Sequence, residues 1–413
     1  MNRPMYVRGT MVEDGQIREL VIVDGVVADA APLPSREPDA VGWVLPGLAD
    51  VHNHLSLASP AGDHEDPAIR VRASASVELA VGVLAIREPG SPDDASMLLA
   101  GEAGWPRVVT AGRFLSPPGG YFPGLAREVT AAGLAGAAVE EAARSGRWTK
   151  IIGDFLGGAG GFVPNWPADA LAEAVAQVHA AGGRVAVHAV CPEAVDAAVA
   201  AGVDSVEHGW AVTDAHFADM RARNMAWVPT LMPGGSDAAC EFAAAMGFSA
   251  GTREWMRAAL DAQPATVARA HAAGVTVLAG TDAGQGPHGA IVDQIAMLTA
   301  AGLPISAARR RRSPISHVSK AAQPGNCLRG CSSPPSPSSS TASCQRAAAS
   351  TPASNRTAPS GRLSTDPDRA PGRPSRRRTW PRFHRRAAAG SWALSNSSGV
   401  SRARGTGPPA RAR

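Results

Sequence analysis

Five residues of metal-binding type close apolar stretches of this chain, and a sixth, a lysine, lies inside one. His52 and His54 stand two apart in Asp50-Val51-His52-Asn53-His54, so on a strand both side chains project to one face, the geometry of a chelating pair. His188 ends Arg184-Val185-Ala186-Val187-His188, His208 ends Ser205-Val206-Glu207-His208, and Asp282 ends the stretch 275–282 (VTVLAGTD). Two hydrogen-bonded loop histidines would account for the first pair taken alone. Five such groups brought to one rim would strain or repel one another without a cation between them.

Lys150 is the only lysine in residues 1–308, in a chain that otherwise uses arginine there for every positive charge. It sits in Trp148-Thr149-Lys150-Ile151-Ile152, where an inward ammonium is costly. A lysine can lose its proton and take up carbon dioxide as a carbamate, an anion able to bridge two metals, and arginine cannot. Pairing with Asp154, or snorkelling of the amine out of the core, is the structural alternative.

These groups need elements to gather them. Strands are expected near 43–51, 82–87, 107–112, 148–153, 184–190, 204–208, 226–231 and 275–282, with Ala-rich helices between them, among them 167–181, 192–201 and 252–273. Eight strands alternating with helices imply an α/β fold, a TIM-like (β/α)8 barrel whose chemistry lies at the strands' C-terminal ends. Ahead of it, residues 1–42 read as a small β layer, an incomplete β-sandwich, in which Asp24-Gly25 marks a hairpin within Glu19–Asp29. The barrel is expected over 43–305 and a low-complexity tail over 306–413.

With the PGLADVHNH segment, Lys150, His188, His208 and Asp282 in this order, residues 1–305 resemble the amidohydrolase superfamily, in its binuclear-metal type with a carboxylated lysine. Local sequences are most similar to its imidazolonepropionase-related and Xaa-Pro dipeptidase-like branch. The resemblance implies that His52, His54 and Asp282 hold one divalent ion, that His188 and His208 hold a second, and that carboxylated Lys150 bridges them. Zinc suits such imidazole-rich sites, with other divalent ions open. It further implies hydrolysis of a carbon–nitrogen bond in a peptidic or cyclic amide, with Asp282 moving the proton from water to the leaving amine. A mononuclear deaminase of the same fold is the rival, but its relatives carry a glutamate three residues after the strand-five histidine. That position is Cys191 here, and Glu193 lies beyond Pro192.

Arg87, in Ile86-Arg87-Glu88-Pro89-Gly90, and Tyr121, in the loop 116–124, are candidates to meet a substrate carboxylate or amide at the barrel mouth. Arg87 could equally pair with Glu88 or another carboxylate, and Tyr121 could pack its loop. His288, in Gly286-Pro287-His288-Gly289, is a third candidate substrate contact. His179 and His271 fall on helical stretches and read as surface or packing residues. Residues 157–161 (GGAGG) lack the Lys-Ser/Thr ending of a phosphate loop and read as a mobile loop beside the site.

Composition divides the chain in two. Residues 1–308 carry 19 Lys+Arg against 34 Asp+Glu, whereas residues 309–413 carry 21 against 2, with 20 Arg, 20 Ser and 13 Pro. The second part has no strand or helix period and is expected to be disordered. It begins at Arg309-Arg310-Arg311-Arg312, where the family would add helices and return to the β layer, so a frameshift near 305–310 is the preferred explanation, leaving a product poorly soluble or impaired in activity. A basic tail that binds nucleic acid or another polyanion is the alternative. No run of about 18 apolar residues occurs, the start lacks a secretory pattern, and the two cysteines of residues 1–308 have no metal-type spacing. The expected setting is cytoplasmic. The expected partners are a small-molecule substrate and at most further copies of the chain, with no membrane and only non-specific nucleic-acid contact by the tail.

Overall fold

The computed structural model describes residues 3–23, 26–28, 35–62, 64–231 and 235–308. Strands β1 (Met5–Met11), β2 (Ile17–Val23), β3 (Val26–Val27) and β4 (Ala40–Val44) form one sheet in the order β3-β2-β1-β4. Val23 pairs antiparallel with Val26, while the Asp24-Gly25 turn itself lies outside the described residues, as does the whole of 309–413.

The stretch 43–51 is two strands, not the single one expected. Trp43 and Val44 end β4 beside β1, whereas β5 (Leu48–Asp50) pairs with β6 (Val83–Glu88) in another sheet. Between them Pro46 has no N–H for a ladder, and a Cβ on Gly47 would come within 2.3 Å of Leu84. The chain therefore changes sheet at residues 45–47.

Parallel pairing dominates from β5 onward. β5, β6 and β7 (Arg107–Thr110) make a three-stranded sheet. Seven more parallel strands are β8 (Phe114–Ser116), β9 (Ala126–Glu128), β10 (Trp148–Ile152), β13 (Arg184–Ala189), β14 (Ser205–His208), β15 (Ala226–Val228) and β16 (Thr276–Val277), in the order β16-β15-β14-β13-β10-β8-β9. Beyond β10, β11 (Asp154–Leu156) and β12 (Phe162–Pro164) form an antiparallel hairpin whose tip is the Gly-rich 157–161, closed by Gly157 N–H donating to Gly161 C=O at 2.7 Å.

Backbone hydrogen bonds link the two parallel sheets at both ends. Val51 N–H donates to Ala279 C=O (3.0 Å) and Asp282 N–H to His52 C=O (2.8 Å) beyond β5 and β16, while at the other end Phe114 N–H of β8 donates to the C=O of Ser91 (3.3 Å), which follows β6. Of the strand expected over 275–282 only two residues have strand geometry, yet Leu278 N–H still donates to Trp227 C=O.

The helices are α1 (Pro67–Ala80), α2 (Leu134–Arg144), α3 (Ala168–Ala180), α4 (Pro192–Ala201), α5 (Phe217–Ala222), α6 (Gly235–Ala245), α7 (Ala250–Ala272), α8 (Ile291–Ala300) and α9 (Ile305–Ala308). Their ends follow local chemistry. Asp66 caps α1 by accepting from Ala68 N–H, Ser249 caps α7 by accepting from Thr252 N–H, and Gly202 closes α4 in the left-handed region that glycine adopts freely. Leu171, Ala174, Val175 and Val178 of α3 recur at helical spacing and are buried, joining the largest apolar cluster with Val185 and Val187 of β13 and Val206 of β14. A second cluster gathers Val51, Val109, Ala111, Trp148, Ala186, Ala226, Val228 and Leu278, from β7, β10, β13 and β15 and the residues just beyond β5, β7 and β16. No described helix is long and apolar enough to cross a membrane.

Candidate metal centre

Nε2 of His52 and Nε2 of His54 each lie 3.3 Å from the same oxygen, Oδ1 of Asp282. These three residues offer donor atoms all within 4.8 Å of one another. Each imidazole is held by its other nitrogen: His52 Nδ1 bonds Glu207 Oε2 at 2.7 Å and His54 Nδ1 bonds the Gly90 carbonyl at 2.8 Å. An Nδ1–H given to an oxygen leaves the Nε2 lone pair free for a cation. The donor set, two imidazoles and one carboxylate on converging atoms, fits a divalent metal ion.

His208 and His188 complete a ring of imidazoles. The His188 and His208 rings are 4.6 Å apart and those of His52 and His208 4.9 Å. His208 Nδ1 bonds Thr230 Oγ1 at 2.9 Å, and His188 Nε2 lies 3.3 Å from Asp154 Oδ1. Asp154 is anchored in turn, because its Oδ2 accepts from the Val190 and Cys191 amides. His208, Thr230 and Asp282 all have positive φ (64°, 43° and 56°), which non-glycine residues adopt at a cost that clusters at functional sites. Gly280 lets the strand end close on the site, since a Cβ there would stand 2.6 Å from the His52 Cβ.

Electrostatics follow burial and neighbours. Burial and the adjacent His188 hold His208 well below the usual imidazole range, and burial also lowers His54. His52 is the exception: burial would lower it, but the carboxylates of Asp282 and Glu207 carry it upward. Burial works against ionisation of Asp282 and Glu207, yet His52 and its neighbouring imidazoles hold Asp282, and Arg87 and His52 hold Glu207, well below the usual carboxylate range.

Lys150 lies 1 % exposed on β10, in register with Ala186 of β13 and Phe114 of β8. It makes no hydrogen bond or ion pair with any described residue, so the alternative pairing with Asp154 is not what the structure contains. Burial, with the nearby Arg87, lowers its amine to about 8, against the pull of Glu207 and Asp282.

Two residues expected to meet substrate have side chains engaged within the fold. Arg87 is fully buried: Nε donates to the Val51 carbonyl, Nη2 donates to Glu207 Oε1 at 2.7 Å, and the guanidinium stacks over Trp148 at 4.8 Å. An inward residue of β6 meets the carboxylate of β14 inside the strands, so the pairing with another carboxylate is the one observed. His288 is also enclosed, with Nδ1 3.2 Å from Glu78 Oε1 and Nε2 3.1 Å from the Leu57 carbonyl, because Glu78 of α1 reaches beneath the loop. Tyr121 does sit beside the cluster, its ring 6.3 Å from that of His188. His179 bonds Asp204 at the surface, and Glu193 is exposed on α4. Glu207, Asp154 and Thr230 join the site without having been expected from the sequence. Glu207 had a readable signal, an acid one residue before His208 in the same strand. A surface groove lined by Leu231, Leu260, Pro264 and Met297 includes none of these residues.

This arrangement is the fold of amidohydrolase-type proteins. A Xaa-Pro dipeptidase with bound methionine matches at a TM-score of 0.58 with 22 % identity, over 74 % of this chain and 86 % of that one. A prolidase-type structure from Bifidobacterium longum matches at 0.60 with 24 % identity (74 % and 81 % covered), and A. niger ochratoxinase at 0.56 with 18 % (74 % and 82 %). The chain belongs to the same family as proteins of Mycobacterium tuberculosis and Mycobacterium bovis that are named only as uncharacterized, each 37 % identical over 310 residues, covering 72 % of this chain and 80 % of the relative. No protein-family model matches the chain.

Proposed function

We propose that this chain is a metal-dependent hydrolase that cleaves an amide carbon–nitrogen bond in a peptidic or cyclic small molecule. The observation that carries the reading is the convergence of His52 Nε2, His54 Nε2 and Asp282 Oδ1, with each imidazole oriented from behind. The two linked parallel sheets then form one (β/α)8 barrel, and the small sheet of β1–β4 is part of a β-sandwich beside it. His52, His54 and Asp282 would hold one divalent ion and His188 and His208 a second, with zinc the ion this donor set suits. Ions bound there would polarise the scissile carbonyl and acidify the attacking water.

The chain's own residues supply the rest. Glu207 and the Gly90 carbonyl fix the His52 and His54 rings, and Arg87 keeps Glu207 ionised for that task. Asp282, the most exposed member of the convergent set, would accept the proton of the attacking water and return it to the leaving nitrogen. Lys150, with its amine lowered to about 8, is partly neutral near physiological pH. A neutral Nζ can attack carbon dioxide: the N–C bond forms, one C=O π pair moves to oxygen, and nitrogen releases a proton. The resulting carbamate would serve both ions. Exposed Glu193 offers no shuttle for a deaminase.

Equilibrium dialysis against Zn2+ in bicarbonate buffer, with metal counted per chain, tests the reading. Close to two ions are expected for the native chain and one or fewer for His54→Ala. Lys150→Ala should lose metal and amide hydrolysis together, with partial rescue by short carboxylic acids. A native chain that binds no zinc sinks the proposal, and a Lys150→Ala variant indistinguishable from it sinks the carbamate.

A second proposal concerns residues 309–413, which we read as an out-of-frame product, so that this chain carries its ligands but not its whole scaffold. Their composition and the share of the chain that the mycobacterial relatives leave unmatched favour it. Independent sequencing from codon 295, translated in three frames, decides: another frame that returns to apolar strands supports the lesion, and none that does so refutes it.

A further inference from the structure

Beside the imidazole ring stands a wall of aromatic side chains that the chemistry above does not use. Phe114 packs 5.3 Å from His54, Tyr121 packs 5.3 Å from Phe114, and Phe155 and Phe122 pack 5.3 and 5.0 Å from Tyr121 and 5.0 Å from each other. The wall is built in advance. Asn165 Nδ2 lies 2.9 Å from both the Gly120 and Ile152 carbonyls, tying the Tyr121 loop to the end of β10. A side chain on Gly120 would collide with Pro117 and Asn165, so the loop closes tightly only with glycine there. Phe155 is fixed by its neighbour Asp154, which holds the amides at the start of α4.

Phe122, Phe155 and Tyr121 are only half-buried, so the outer surface of the wall is open while its inner edge meets His54 and His188. The Tyr121 hydroxyl makes no hydrogen bond with any described residue. Burial and the charge on Asp282 raise the phenol, so it stays a donor. Expected cationic contacts do not offset this apolar character, because Arg87 is spent on Glu207 inside the strands.

We propose that Tyr121, Phe122 and Phe155 set the specificity of this site: they take a planar or bulky apolar group flanking the scissile amide, while the Tyr121 hydroxyl donates to a carbonyl oxygen of the same substrate. The inference rests on the amide-hydrolase reading and names the class of amide. Free dipeptides of small residues are then poor substrates, and amides with an aromatic acyl or amine portion are good ones.

The test uses N-acetylglycine, N-benzoylglycine and N-acetylphenylalanine with the zinc-loaded full chain, reading kcat/KM and, separately, calorimetric affinity. At least one aromatic amide should exceed N-acetylglycine by about tenfold, the scale of burying and stacking one ring. Phe155→Leu keeps an apolar side chain at a half-buried position and should shrink that preference to about threefold or less. Tyr121→Phe should keep the preference while weakening all three by up to about tenfold, the worth of one hydrogen bond. Equal affinity for the three amides, or a preference that survives Phe155→Leu, overturns the proposal. Aromatic-selective affinity in a chain that takes up no zinc supports the wall and refutes the metal-dependent hydrolase reading, so the two fail separately.

Discussion

The interior of the parallel strands and the sheet of β1–β4 invert the usual placement of side chains, each in its own direction. Inside the strands Arg87, Glu88, Glu207, Asp50 and Lys150 are all at most 1 % exposed. On the small sheet Val41, Trp43, Val26 and Ile17 are 65–75 % exposed, and no described residue before Leu48 belongs to any of the three apolar clusters. Buried charge persists where partners and chemistry require it. Exposed apolar surface persists where a covering segment is wanting, and none of the described residues covers these four. Among the described residues the first region is thus enclosed, and the second is left open.

The largest expected effect comes from breaking the buried polar interior. Arg87→Met leaves Glu207 enclosed without its cation and removes the donor to the Val51 carbonyl. A loss of about 3–5 kcal/mol is expected, read from the urea midpoint at constant slope. A loss below about 1 kcal/mol would mean that Glu207 is balanced by something other than Arg87.

Glu88 sharpens the contrast through pH. Both of its oxygens lack a hydrogen bond of good geometry, although the Ser96 hydroxyl and the Ser56 and Leu55 amides soften its burial, and burial raises it to about 8. Between the ordinary carboxyl range and pH 8 the folded chain holds a proton there that the unfolded chain has lost. Stability therefore falls as pH rises from about 4.5 to 8, by about 1.4 kcal/mol per pH unit at most. Glu88→Gln should flatten that part of the curve, and an unchanged slope would assign it to another group.

How far the sequence carries depends on range. The spacing of His52 and His54, the helices α3, α4 and α7, and most strand positions are legible because they rest on local period and capping. The fate of Arg87 is not, since β6 and β14 are 120 positions apart at the pairing with Glu207 and only the closing of strands brings them together. The contact of His288 with Glu78 of α1 is out of reach of local period for the same reason. The break at Pro46 is written in the sequence, but the apolar run around it reads as one strand unless full weight is given to a residue that cannot donate.

In the small sheet the pH dependence has the opposite sign. Asp39 accepts from the Tyr6 amide at 2.8 Å and pairs with Arg36 and Arg3, and these contacts, the amide first, lower it to about 2. Its contribution is present above the ordinary carboxyl range and is lost as pH falls from about 4 through 2. Hydrogen exchange at the Tyr6 amide reads this locally: protection should drop on acidification, and Asp39→Asn should bring the same drop at neutral pH. Protection that ignores both changes would detach Asp39 from the sheet's stability.

The smallest effect on stability falls on the most exposed residues. Trp43→Ser removes a large apolar side chain that is 72 % exposed on edge strand β4, so unfolding free energy should change by no more than about 0.5 kcal/mol. The same substitution should delay aggregation in light scattering, because an unpaired edge that carries apolar side chains is a template for association. The two readouts together decide what the sheet lacks. A stability loss well above 1 kcal/mol would show Trp43 packed against residues outside the described ones, and the contrast between the two regions would then be one of what covers them and not of how each is built.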